Sequence, residues 1–134
     1  MTDSAPPAGL KTSGAAAIEF AIVFPLFALC VFGLIEFGRA TWTEGTLNYA
    51  VQSASRCGAI DKNNCATNGQ IQAWAAASTL GFTVDASQFV VDTSQTCGVK
   101  VSITLPFDFA VPAVAELLSQ PITLSASSCF PKAS

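Results

Sequence analysis

The chain of 134 residues contains no histidine, one methionine, one tyrosine and only six basic residues. Without histidine it lacks the commonest general base and the commonest zinc ligand. Neither a Ser–His nor a Cys–His nucleophile pair can be assembled. A net charge of −3 leaves no basic stripe for nucleic acid phosphates. Charge of either sign is scarce: 11% of residues are charged, against about 25% in a typical soluble domain. Its length allows one domain and a short appendage. The mean hydropathy of +0.49 directs attention to where the apolar residues lie.

They are concentrated near the amino end. Positions 20–35 carry no charge, and 15–37 are interrupted only by Glu19 and Glu36. A bilayer core of about 30 Å needs roughly 20 helical residues, so this stretch is long enough to span. Membrane helices tolerate a proline such as Pro25. A buried helix of a soluble core is the rival reading, but the rest of the chain is too polar to wrap it. Residues 1–14 are polar, rich in Pro and Gly, and read as a disordered leader. Trp42 beyond the run suits a membrane interface.

Five cysteines are present. Cys30 lies within the span as a small packing residue, and Cys57, Cys65, Cys97 and Cys129 all follow it. Four cysteines allow three connectivities. The favoured pairing is Cys57–Cys65, closing a local loop, with Cys97–Cys129 tying two strands. Loop entropy assigns these about 2–3 and 3–4 kcal/mol. No pair has the C-x₂₋₄-C spacing of a zinc site, so no metal and no cofactor is expected. Disulfides imply an oxidising compartment, which puts the C-terminal part in the periplasm or outside the cell and the amino end in the cytoplasm.

From Ala40 to Arg56 the pattern becomes amphipathic, with Leu47, Ala50, Val51 and Ala54 at i, i+3, i+4 and i+7. A single helix is therefore expected from about Ala15 to Arg56, its outer part running over 39–58, with a bend at Gly45. Residues 61–68 read as loop and Gly69–Leu80 as a second helix, capped by Thr67 or Asn68. Alternation of Val99, Val101, Ile103 and Leu105 predicts a half-buried strand, with 88–92 and 122–127 as partners and a short helix over 113–118. The class is α+β: a long membrane-spanning and amphipathic helix, then a head over 59–134 with one main helix and a three-stranded antiparallel sheet. One conflict follows. Setting Cys97 opposite Cys129 places the odd-numbered core positions of one strand against Thr123 and Ser125. The disulfide then requires a bulge, an irregular strand end or another strand order.

A carboxylate at the start of a membrane helix is costly and is functional by default. Glu19 follows Gly14 by five residues, at the junction of leader and apolar run. A short polar leader, Gly, four apolar residues and Glu-Phe resemble the cleavage motif of type IV prepilins. The stretch Gly-Ala-Ala-Ala-Ile-Glu-Phe-Ala-Ile-Val-Phe-Pro-Leu-Phe (14–27), then Gly-Leu-Ile-Glu-Phe-Gly-Arg (33–39), Asn48, Ala54 and Arg56, is similar to the TadE-like minor pilins (pseudopilins) of the tight-adherence (Tad/Flp) pilus system. The resemblance implies removal of residues 1–14 by a prepilin peptidase and a mature chain starting at Ala15. It implies Glu19 as an assembly contact that neutralises a neighbouring subunit's terminal amine. It further implies minor and major pilins, an inner-membrane assembly platform and membrane lipid as partners, and a single-pass inner-membrane location with possible passage into the pilus. Lys11 stands where a more basic leader is usual. Glu36 and Arg39, spaced i, i+3, can pair within the chain or contact another subunit.

Other classes fare less well. Asp61, Asp85, Asp92 and Asp108 are scattered, and nothing marks a Ser–Lys dyad at Lys100, so no catalytic residue is assigned. A secreted or anchored binding module unrelated to pili is the alternative, released after Gly38-Arg39-Ala40. Charged Glu36 and Arg39 disfavour that site. A lipoprotein is excluded by the large Leu29 before Cys30.

Overall fold

The computed structural model describes residues 10–132. Most of the leader, residues 1–9, lies outside the described residues. Helix α1 runs from Leu10 to Ile60, a rod of about 75 Å at 1.5 Å per residue. It starts earlier than the composition of residues 10–14 suggests, since an established helix propagates more easily than it nucleates. Pro25 lies inside it, and its far end passes Arg56 by four residues.

The head follows as α2 (Asn68–Ala77), a 3₁₀ turn (Ala86–Gln88), β1 (Val90–Gln95), β2 (Gly98–Phe107), α3 (Pro112–Leu118) and β3 (Ile122–Phe130). The class is α+β, and the sheet is antiparallel in the order β1-β2-β3. Beside its main helix the head carries the short one expected before the last strand, and Pro112 at the first turn starts this α3. Helix α2 stops at Ala77 rather than Leu80. Ser78 and Thr79 hydroxyls donate to the carbonyls of Trp74 and Ala76, both at 2.8 Å, and this side-chain bonding competes with further helix. At its start Thr67 Oγ1 accepts the Gln70 amide, while Gln70 Oε1 accepts the Thr67 amide at 3.1 Å. This is a capping box. It leaves Asn68 inside the helix and ends the preceding loop at Thr67.

The core lies where the second half of α1 meets the sheet. Leu47, Ala50, Val51 and Ala54 are fully buried against Ile71, Ala75, Phe89, Val99, Val101 and Ile103. Gly58 permits the closest approach: a Cβ there would lie 2.7 Å from Ile71 Cδ1 and 3.1 Å from Val99 Cγ1. Ser55, also buried, has its hydroxyl 3.1 Å from that of Ser128 on β3, so the polar group is satisfied.

The register resolves the conflict over Cys97. Val101 pairs with Ser128, Ile103 with Ala126 and Leu105 with Leu124, so odd positions of β2 meet even positions of β3 and core faces core. Cys97 stands in the turn just before β2, outside the ladder, and reaches Cys129 across a Cα–Cα distance of 6.1 Å. Gly98 makes the turn, with φ +119°, and a Cβ there would overlap the Phe130 carbonyl. The second disulfide joins Cys57 on α1 to Cys65 before α2. Cys30 is a free, exposed thiol.

Candidate functional site

The residues singled out by the sequence fall into two groups on α1. Gly14, Ala15 and Glu19 occupy its early turns and are all exposed. A Cβ at Gly14 would meet nothing within 4 Å. Ala15 and Glu19 are spaced i, i+4 and share one helix face. Among the described residues, Glu19 has no ion-pair partner. From Gly14 to Phe27 every residue is exposed, and the helix that runs on from Gly14 is long and apolar enough to cross a membrane.

The second group lies about 25 Å further along the helix, taking 1.5 Å per residue from Glu19 to Glu36. Glu36 is only 2% exposed although its neighbours Leu34, Ile35 and Phe37 on the helix are open to their surroundings. Its Oε2 accepts from Arg39 Nη1 at 2.7 Å. Its Oε1 accepts the backbone amides of Ala110 and Val111 at 2.9 and 3.0 Å. Val111 is the N-cap of α3 and has no side-chain cap of its own, so Glu36 supplies the acceptor that the start of this helix lacks. Arg39 in turn lies over the Phe107 ring, 5.5 Å from its centroid, a cation–π contact. One carboxylate thus fastens the apolar helix to the loop between β2 and α3.

The scattered aspartates have local work. Asp61 accepts the Asn64 side chain and the amides of Asn63 and Asn64. Asp85 accepts the hydroxyl and amide of Ser87. Asp92 accepts from Gln95 and from Ser94. These donors lower all three pKa values, Asn64 mainly for Asp61 and Ser87 for Asp85. For Asp92 the Gln95 amide contributes most, and the pKa is pushed down to about 2. Hydrogen bonding to the charged form is the cause throughout. Lys100 is paired with Asp92 on one side and Cys129 on the other. Among the described residues, no cluster of three or more His, Cys, Asp or Glu can hold a metal ion.

Sequence reasoning placed Glu36 beside Arg39 but missed its bonds to the head, 74 and 75 positions away. The available signal was an uncapped Val-Pro helix start, whose free amides need an acceptor from elsewhere.

The chain is thus an exposed apolar helix, long and apolar enough to cross a membrane, that continues into a small disulfide-linked α+β head. Residues 14–56 match the model of the family described as TadE-like protein, so α1 from Gly14 to Arg56 is similar to that family. The match covers about a third of the chain. No curated protein and no solved structure matches the chain.

Proposed function

We propose that this chain is a minor pilin, or pseudopilin, that takes part in assembling or initiating a Tad/Flp pilus. A prepilin peptidase removes residues 1–14, and the mature chain begins at Ala15 in the inner membrane with its head in the periplasm. The observation that carries the reading is Gly14-x₄-Glu19 at the start of an exposed, apolar, TadE-like helix. A freed amine on Ala15 and a carboxylate on Glu19 are charges in an apolar setting, where a partner is worth most. In a stack of helices the carboxylate of one subunit meets the amine of the next. Minor and major pilins and the assembly platform are its partners in this reading, and no catalytic step is required of it.

The alternative, release as a binding module after Ala40, fits less well. Residues 38–40 lie within continuous helix, next to the Glu36–Arg39 pair that holds the head.

The mature amino terminus, read by intact mass from membranes, separates the readings. A start at Ala15 is expected, whereas a start at Thr41 or an uncut Met1 would refute the pilin reading. Glu19→Ala is expected to insert normally and to abolish pili, and pili in normal number would refute the neutralising role.

A further inference from the structure

We propose that α3 and the start of β3 are a lipid-contacting surface, by which the head rests in the outer boundary of the same bilayer that α1 crosses. The inference builds on the membrane-crossing reading of α1 and adds a second membrane contact, made by the head.

The first argument is depth. A mostly apolar crevice of ≈ 280 Å³ has Gly33, Glu36, Phe37 and Ala40 of α1 on one wall and Phe109, Val114, Leu118 and Ile122 of the head on the other. Gly33 lies inside the uncharged run 20–35. A crossing of roughly 20 residues that begins anywhere from Gly14 to Ile18 includes Gly33. The crevice runs from Gly33 to Ala40, so the head residues sharing it sit level with the last turn of the crossing and the turn that follows, at the boundary of the bilayer. The bonds from Glu36 to Ala110 and Val111 hold them there.

The second argument is chemistry. Between residues 101 and 131 the only charges are Asp108 and Glu116. Leu117 is 69% exposed, Leu118 44% and Ile122 37%. Helix α3 buries Val114 and leaves Leu117 uncovered. Glu116 is set roughly 100° round the helix from Leu117, so it can face the headgroups while Leu117 faces the chains. Short apolar faces of this kind enter the headgroup–acyl boundary by roughly 5–10 Å. Lipid is the occupant because the surface is continuous with the apolar face of α1 itself.

The test uses the full chain with Cys30→Ala, which removes the free thiol, and a nitroxide attached at Leu117→Cys. It is reconstituted at high dilution in vesicles of phosphatidylethanolamine and phosphatidylglycerol. Collision with oxygen is compared with collision with a water-soluble nickel chelate by electron paramagnetic resonance. Labels at Leu26→Cys in the span and Gln88→Cys on the 3₁₀ turn set the two limits. Position 117 is expected to favour oxygen several-fold, between the two limits and nearer to position 26. A water-like value at 117 with a hydrocarbon value at 26 would overturn the lipid surface and leave the crossing intact. Water-like values at both would overturn both readings. Shielding from both reagents, with dipolar broadening that grows with protein density, would assign the surface to a second copy and overturn the proposal.

Discussion

Residues 14–35 and 46–59 belong to one helix, yet they solve opposite problems. The first stretch is apolar on every face and almost wholly exposed, while the second buries one stripe and turns polar groups outward. A helix apolar all round is matched to an apolar surrounding, and a striped one to a single packing partner. The difference teaches that α1 has two solvents. Lipid-type surroundings suit its first part, and the β-sheet covers its second. The Glu36 node marks the change, where the first head residues touch the helix.

The comparison is broken most directly by large-to-small substitutions in each region. Phe89→Ala, at a fully buried site, is expected to destabilise the head by about 3–5 kcal/mol. Phe27→Ala, at an exposed one, is expected to change head stability by no more than about 0.5 kcal/mol. Urea unfolding of the detergent-solubilised chain, followed by near-ultraviolet circular dichroism, measures both. Equal losses would mean that the two halves of α1 are one packing unit.

Glu36→Leu tests the boundary between the regions. It removes the acceptor for two amides and for Arg39, and is expected to cost about 1–3 kcal/mol. The loss should be local, with hydrogen exchange at Ala110 and Val111 quickened and exchange at Val101 unchanged. Unchanged exchange at Ala110 would show that Glu36 does not fasten α3.

The smallest expected effect is a pH dependence confined to the head. Asp61, Asp85 and Asp92 have folded pKa values below their ordinary ones. In acid the unfolded chain binds more protons than the folded one, so stability falls as pH falls. Their contribution is complete above about pH 5, roughly one unit over the ordinary carboxylate value, and fades toward the folded value of about 2 at Asp92. Melting of the head followed from pH 7 to 2 should show a plateau down to about pH 5 and then a decline. Asp92→Asn should make that decline shallower, and an identical slope would remove Asp92 from this account.

What could be read along the chain was local. The uncharged run announced α1, Thr67 or Asn68 announced the start of α2, and Pro112 announced α3. The alternation from Val99 to Leu105 marked β2 as the central strand, because each of these signals lies within a few residues of what it specifies. The boundaries were less legible. Gln88 belongs to a 3₁₀ turn capped by Asp85, so β1 begins at Val90, and β3 continues past Ser127 to Phe130. Of the candidate site, Gly14, Ala15 and Glu19 rest on the resemblance to a prepilin cleavage motif, and the Glu36–Arg39 pair was legible from helix periodicity.

The sequence by itself determined that one apolar helix carries a small cysteine-linked α+β head, since composition and periodicity express the solvent each residue must face. Only the tertiary structure decided the register that lets Cys97 meet Cys129 from a turn. It alone decided, too, the use of Glu36 as the acceptor for α3. Both depend on backbone groups brought together from 32 to 75 positions apart. Backbone amides and carbonyls are the same at every position, so a sequence cannot mark which of them a distant side chain will meet.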